Sequence, residues 1–213
     1  MRVFLFTIFI LLTLSVSGQA QTLYGTSDVK AFREWRDKEF CNPAETPLLR
    51  EDFPKFKGLN YFPTDEKYRL KAKFTKTPEE KYFLMPTSSG NSVKYVKTGV
   101  YTFTLDGKEH TLAAYQSESV ETNPALKKKY GHAYFIPFKD LTNGAETYGV
   151  GRYLYLKIPE GEETEIDFNL AFNPSCAYGS DRFSCPIPPK ENFLKAEIRA
   201  GEKIYEYTGI KTK

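Results

Sequence analysis

Alternating apolar and polar residues dominate the chain after Pro63, a pattern typical of antiparallel β-strands with one buried and one solvated face. Residues 68–74, YRLKAKF, give the plainest case, because apolar side chains at every second position alternate with Arg69, Lys71 and Lys73. Turns rich in Gly, Pro and Asn separate the other predicted strands, which are residues 93–97, 133–138, 152–158, 164–170, 194–199 and 203–208.

The clearest hairpin lies at residues 100–115, VYTFTLDGKEHTLAAY, where Asp106-Gly107 is a sequence preferred in two-residue type I′ turns. That turn fixes which residues face each other across the hairpin. The predicted facing pairs are Leu105 with Lys108, Phe103 with His110, and Tyr101 with Leu112. His110 then lies in an apolar row, which indicates a structural rather than a catalytic histidine.

One amphipathic helix precedes the strands, at about residues 27–40, with Ser27 or Thr26 placed to cap its first turn. The apolar stripe at helical spacing consists of Val29, Phe32, Trp35 or Arg36, and Phe40. Residues 41–63 contain four prolines and should form an ordered but irregular loop.

These patterns predict a mainly β fold, α+β by virtue of its one N-terminal helix, with a β body at about residues 66–208. The architecture is a single antiparallel β-barrel or sandwich domain. Hairpin signals identify neighbouring strands but not closure of the sheet, so both alternatives stay open. No internal repeat or linker divides the chain.

The first 20 residues, MRVFLFTIFILLTLSVSGQA, combine one positive charge at Arg2, an apolar run over residues 3–12, and small residues near position 20. This pattern is typical of a signal peptide. It predicts export to the periplasm or the extracellular medium, with residues 21–213 forming the single mature domain. The apolar run is short for a bilayer and no run of about 18 apolar residues follows, so we expect no membrane span.

Charge and motif content argue against nucleic-acid binding and against a dinucleotide cofactor. The formal net charge is only +3, which gives no electrostatic footprint for nucleic acid. The sequence Gly149-Val150-Gly151 lacks the third glycine and the βαβ context of a dinucleotide site, so we expect no cofactor. A protein partner is not identified by the sequence.

Three cysteines occur, at positions 41, 176 and 185. In an oxidising compartment Cys176 and Cys185, close together in a loop rich in Pro, Gly and Ser, indicate a disulfide. Cys41 then has no partner within this pair. Three alternatives stay open for it: it is buried, it pairs with another chain, or it replaces Cys176 or Cys185 in the disulfide. A metal site is not expected, because His110 and His132 are distant in sequence from each other and from paired ligands.

Polar residues concentrate in the last third of the chain. In the predicted strand 164–170, Asp167 and Asn169 share a polar face that leads into a turn at Asn173. Arg152 is suited either to a bidentate salt bridge with Asp167 or to holding a carboxylate or phosphate. The candidate ligand-binding residues are Tyr148, Arg152, Asp167, Asn169, Asn173, Tyr178, Glu191 and Asn192.

The strings ETYG, GRYL, IDFN, AFNPSCAY, CPIPP and ENFL, with FKGLNYFP upstream, resemble the DUF1684 family of uncharacterised proteins over about residues 45–205. The resemblance implies one compact unit and brings no reaction, substrate or cofactor. It places functional weight on the matching positions, which are Tyr148, Gly151, Arg152, Asp167, Asn169, Asn173, Cys176, Cys185, Glu191 and Asn192.

Three hypotheses of function follow. The first is a non-enzymatic binding domain that holds a small polar ligand, a saccharide or a carboxylate, at the candidate residues. The second is a hydrolase in which Asp167 and Glu191 act as general base and acid. The third is a structural or protein-interaction domain in which Arg152, Asp167 and Asn169 form a buried polar network.

Overall fold

A computed structural model describes residues 22–78 and 80–206 of the chain, so the predicted signal peptide lies outside the described residues. The strands form one antiparallel sheet that curls into a half-barrel. They are β1 (Arg69–Lys76), β2 (Phe83–Pro86), β3 (Ser92–Leu105), β4 (Lys108–Ser117), β5 (Ala133–Phe138), β6 (Arg152–Lys157) and β7 (Glu163–Asp167). Their order is β6-β5-β4-β3-β1-β7, with β2 also paired to β3.

The predicted hairpin is confirmed in both its turn and its register. Asp106 and Gly107 have φ angles of 51° and 72°, the left-handed backbone that a type I′ turn demands at both positions. The three predicted facing pairs all occur across β3 and β4. The His110 ring stacks on Phe103 with 5.8 Å between ring centroids, which agrees with a structural histidine.

The predicted helix is α1 (Val29–Phe40), and its buried face carries Arg36 rather than Trp35. Asp28 is the N-cap residue and accepts from the Ala31 amide, whereas the predicted cap Thr26 accepts from the amide of Asp28. Because Asp28 lies in extended backbone one residue before the first helical turn, its carboxylate reaches the free amides there.

Two helices lie where no regular element was predicted, α2 (Glu118–Thr122) and α3 (Pro124–Tyr130). Together they connect β4 to β5. No residue of either helix is buried, so the hydrophobic periodicity on which helix prediction depends is missing.

The predicted strand at residues 194–199 is wrong, and residues 203–206 form no strand either, whereas 207–208 lie outside the described residues. Among the described residues, the carbonyl groups of Ile198, Ala200 and Glu202 accept hydrogen bonds from the side chain of Arg152 and from no neighbouring strand. The predicted strand 164–170 ends at Asp167, after which residues 168–170 form a 3₁₀ turn.

Aromatic contacts attach α1 to the sheet. The ring of Phe172 lies 5.9 Å from that of Phe32 and 6.0 Å from that of Tyr153, and Phe172 pairs with Tyr153 as an isolated β-bridge. The helix is therefore held against the edge of β6, and its buried Arg36 faces the interior there. Among the described residues, no helix is long and apolar enough to cross a membrane.

Candidate functional site

Arg152 begins β6 and its side chain is fully buried. Its Nη2 donates to Asp140 Oδ2 at 2.9 Å and to the Ile198 carbonyl at 2.8 Å. Its Nη1 donates to the carbonyls of Ala200 at 2.5 Å and Glu202 at 3.2 Å. Burial lowers the pKa of Arg152 and the Asp140 carboxylate opposes that shift. The guanidinium is thus sealed inside the protein and anchors the C-terminal segment.

Asn173 and Tyr178 both hold the buried carboxylate of Glu202. The Asn173 backbone and side-chain N–H groups each donate to it at 3.1 Å, and the Tyr178 hydroxyl donates as well. Burial raises the pKa of Glu202, against the lowering effects of Arg36 and of these hydrogen bonds. Since Arg152 binds the carbonyl of this same residue, three predicted site residues meet at Glu202, a residue that the sequence did not single out.

Asp167 and Asn169 form a separate cluster. Asp167 pairs with Arg69 at 3.0 Å and Arg152 pairs with Asp140, so the salt bridge between Asp167 and Arg152, one of the two roles considered for Arg152, does not form. The other oxygen of Asp167 accepts from the backbone and side-chain amides of Asn169. Asn169 in turn exchanges two hydrogen bonds with the backbone of Asp65. Both residues are buried, so the solvated polar face expected here does not include them; Asp167 ends β7 as the N-cap of the 3₁₀ turn, and Asn169 lies within that turn.

Glu191 lies beside β4, where it accepts from the Tyr115 hydroxyl at 2.6 Å and from Lys97 Nζ at 2.6 Å. Its partners differ from those of Asp167, and each carboxylate has its own cation, so nothing in these contacts joins the two as an acid and base. Tyr148 is half-buried and packs against the hydrophobic cluster that includes Tyr178.

Asn192 is fully buried and connects two strands through its side-chain amide. It accepts from the Ala113 amide at 2.7 Å and donates to the carbonyls of Ala113 at 2.9 Å and Pro137 at 2.7 Å. The amide therefore bridges β4 and β5, whose only paired position is Tyr115 with Phe135 among the described residues. Asn192, a candidate ligand-binding residue, thus supplies hydrogen bonds between two strands of the sheet.

A pocket of about 550 Å³ lies elsewhere, between α1, the loop that follows it, α3 and the loop closed by the disulfide. Its charged lining consists of Arg36, Glu39, Glu45, Lys129 and Arg182. Its aromatic lining consists of Tyr24, Phe40, Tyr130 and Phe183. Concave sites with aromatic walls and a few convergent polar groups are the usual places where small molecules bind.

Arg36 is the buried cation of this pocket, with 6% of its surface exposed. Its nearest carboxylates are Glu202 at 3.7 Å and Glu39 at 3.9 Å, beyond hydrogen-bond length, and its Nε is buried without a partner. Burial alone would lower the pKa of Arg36, but Tyr24, Tyr178 and Glu202 raise it overall. The guanidinium therefore stays charged, and its Nε donor has no partner.

The loop closed by the disulfide supplies one wall of the pocket. The predicted Cys176–Cys185 bond is present, and Cys41 is a free, exposed cysteine. Arg182 and Phe183 lie within the closed loop, where Arg182 Nη2 donates to the Thr46 carbonyl at 2.8 Å. In the described parts of the chain, no group of three or more His, Cys, Asp or Glu residues could hold a metal ion.

The pocket brings together residues that the sequence analysis did not select. Arg36 was noted only as an alternative to Trp35 on the helix stripe, and Lys129 was not selected. The one available signal was that the buried stripe of α1 contains an arginine, which needs a polar partner inside the protein.

The comparisons with known proteins agree with this architecture. The profile of the family described as "Protein of unknown function (DUF1684)" matches residues 54–203. The chain is similar to an uncharacterized protein of Haloarcula marismortui whose solution NMR structure is known. The two are 33% identical with a TM-score of 0.64, and the match covers 82% of this chain and 91% of that one. No curated protein matches. The chain therefore belongs to the DUF1684 family.

Proposed function

We propose that this protein binds a small carboxylate-bearing molecule in the pocket over Arg36. One observation carries the proposal, namely a buried guanidinium whose Nε has no partner and whose carboxylate contacts exceed 3.5 Å. An unpartnered buried donor is costly, and a ligand carboxylate would satisfy it with charge-assisted hydrogen bonds. Of the two ligand classes expected from the sequence, a carboxylate therefore fits better than a neutral saccharide.

The surroundings of Arg36 support the same ligand class. The exposed Arg182 contributes a second guanidinium at the pocket rim, and it makes hydrogen bonds to Ser180 and Thr46 but no ion pair within the described residues. The rings of Phe40 and Phe183 provide apolar surface for the body of the ligand. The predicted site residues Asn173 and Tyr178 contribute indirectly, because they fix the Glu202 carboxylate behind Arg36.

The first test is thermal unfolding of the purified protein with a panel of organic carboxylates and neutral sugars. A ligand present at about 100 times its Kd stabilises the folded state by roughly 2.7 kcal/mol, which raises Tm by several degrees for a domain of this size. We expect shifts with carboxylates and none with the matched neutral amides or sugars.

Two variants locate the site. Arg36→Gln should abolish the shift, and Arg182→Ala should reduce it without unfolding the protein, because Arg182 is exposed. The matched control is Arg199→Ala, an exposed arginine that pairs with Glu146 away from the pocket. Carboxylate binding that survives both pocket variants would contradict the proposal.

We also propose that the chain is exported and works in the periplasm or outside the cell. The apolar run at residues 3–12 and the Cys176–Cys185 disulfide support this, because disulfides persist mainly in oxidising compartments. Expression in a bacterial host, followed by fractionation and N-terminal sequencing, should give a mature chain that begins at Gln21. A chain retained in the cytoplasm with its first 20 residues intact would contradict export.

A further inference from the structure

Within the pocket, the ammonium group of Lys129 lies near two aromatic rings and one carboxylate. Lys129 Nζ lies 5.9 Å from the ring centroid of Tyr24 and 5.5 Å from that of Tyr130. The same ammonium is 3.7 Å from Glu39 Oε1. Aromatic faces and a carboxylate around one point are the chemistry that recognises an ammonium group.

Lys129 is partly exposed to solvent at this position. It belongs to the seven-residue helix α3, no residue of which is buried, and 42% of its side chain is exposed. Its contact with Glu39 is longer than a hydrogen bond. A ligand ammonium can therefore replace the lysine without uncovering any apolar core.

Glu39 places this ammonium position next to Arg36. One oxygen of the Glu39 carboxylate faces Lys129 at 3.7 Å, and the other faces Arg36 Nη1 at 3.9 Å. A position for a ligand carboxylate and a position for a ligand ammonium thus lie on either side of one side chain. The exposed carboxylate of Glu45 lines the same pocket and adds negative charge to it.

We propose that the ligand class is the α-amino acids, with the ligand carboxylate on Arg36 and its ammonium group displacing Lys129 from the cage formed by Tyr24, Tyr130 and Glu39. This inference rests on the proposed function, since it assigns the carboxylate to the same guanidinium. The two charged groups of an α-amino acid are separated by a single carbon, which suits two subsites that share one carboxylate.

The test compares amino acids with their deaminated counterparts by isothermal titration calorimetry on the purified protein. The matched pairs are phenylalanine with 3-phenylpropanoate and leucine with 4-methylpentanoate. We expect each amino acid to bind about tenfold more tightly than its partner, the ratio that about 1.4 kcal/mol of ammonium recognition gives.

Two variants assign the preference to the cage. Glu39→Gln should remove the preference for the amino acid. Lys129→Met should strengthen amino acid binding several-fold, because no tethered ammonium then competes. Lys127→Met, an exposed lysine two residues before Lys129 that does not line the pocket, is the matched control and should change neither affinity.

The outcomes separate the two proposals. Equal affinity within each pair overturns the amino acid inference and leaves the carboxylate function standing. A preference that neither Glu39→Gln nor Lys129→Met alters also overturns it, because the ammonium is then recognised elsewhere. No binding of either member of the pairs, or of any carboxylate in the panel, overturns both proposals.

Discussion

Arg152 and Asp140 form an ion pair with 2.9 Å between Nη2 and Oδ2, and neither side chain is exposed to solvent. Asp140 is fixed by further donors, the Thr142 amide at 2.8 Å and the Ile198 amide at 3.3 Å. Since Arg152 also binds three carbonyls of the C-terminal segment, the pair connects the loop after β5, the start of β6 and residues 198–202.

Arg152→Met should destabilise the protein by about 3–5 kcal/mol, because it leaves the Asp140 carboxylate buried without its cation. Equilibrium unfolding in urea measures the change. The double variant Arg152→Met with Asp140→Leu should lie closer to wild type than Arg152→Met alone, since no uncompensated charge remains.

The matched control for that change is Arg199→Met, in which an exposed arginine loses its ion pairs. It should lower the free energy of unfolding far less than Arg152→Met does, because solvent screens an exposed ion pair. If Arg152→Met and Arg199→Met lowered the free energy of unfolding by the same small amount, the ion pair between Arg152 and Asp140 would not be what stabilises the C-terminal segment.

Asn192→Asp should strongly destabilise the protein, although it replaces only the side-chain NH2 group with an oxygen. The amide donates to the carbonyls of Ala113 and Pro137, and a carboxylate would face both as a second acceptor. Loss of two buried hydrogen bonds and burial of a charge should together cost about 3 kcal/mol or more. Chemical denaturation of the variant beside Asn91→Asp, an exposed asparagine expected to be near neutral, provides the comparison.

A loss below about 1 kcal/mol in Asn192→Asp would show that β4 and β5 are held by other contacts. Amide hydrogen exchange at Ala113 gives a second, local readout. Its protection should fall in the variant through local opening of β4, since a carboxylate repels the carbonyls of Ala113 and Pro137 although it can still accept from the Ala113 N–H.

Features that depend on residues close together in the sequence could be predicted from the sequence. The Asp106-Gly107 turn fixed the register of β3 and β4, because backbone with positive φ at both turn positions is needed whatever lies around it. The disulfide was also predictable, since its two cysteines lie in one short loop. The fold class follows from the sum of such local signals.

The candidate site was not predictable in the same way, because its residues come from distant segments. Arg36, Lys129 and Arg182 lie on a helix, on a second helix and in a loop, and no local pattern relates them. The composition of the last third drew attention to its polar residues, yet Asn173 and Tyr178 bind Glu202, which lies 29 and 24 residues further along the chain, and so support the fold.

Removal of the disulfide by Cys176→Ala with Cys185→Ala should lower stability by roughly 2.5–3 kcal/mol, the chain-entropy contribution of a loop of this length. It should also weaken carboxylate binding, because Arg182 and Phe183 lie on the released loop. Thermal unfolding and ligand titration of the double variant measure both effects.

Cys41→Ser is the matched control for the loss of a cysteine, because Cys41 is exposed and free. It should leave both Tm and affinity within error of wild type. A disulfide-free protein that bound carboxylates as tightly as wild type would remove the loop from the proposed site.

Glu191 should make stability depend on pH in acid. Burial alone would raise its pKa, but hydrogen bonds from Lys97 and Tyr115 outweigh burial and hold it below its ordinary 4.5. A carboxylate with a lowered pKa in the folded state contributes stability above its ordinary pKa and loses that contribution as the pH falls through the folded value. The free-energy difference between wild type and Glu191→Gln should therefore be constant well above pH 4.5 and should shrink below it. Equilibrium unfolding of wild type and Glu191→Gln across this pH range measures the difference.

Lys97→Met tests whether Lys97 causes the lowered pKa. Without Lys97 the pKa of Glu191 rises, so the stabilising contribution of Glu191 should disappear at a higher pH. If the free-energy difference between wild type and Glu191→Gln instead grew on acidification, the hydrogen bonds from Lys97 and Tyr115 would not stabilise the ionised carboxylate.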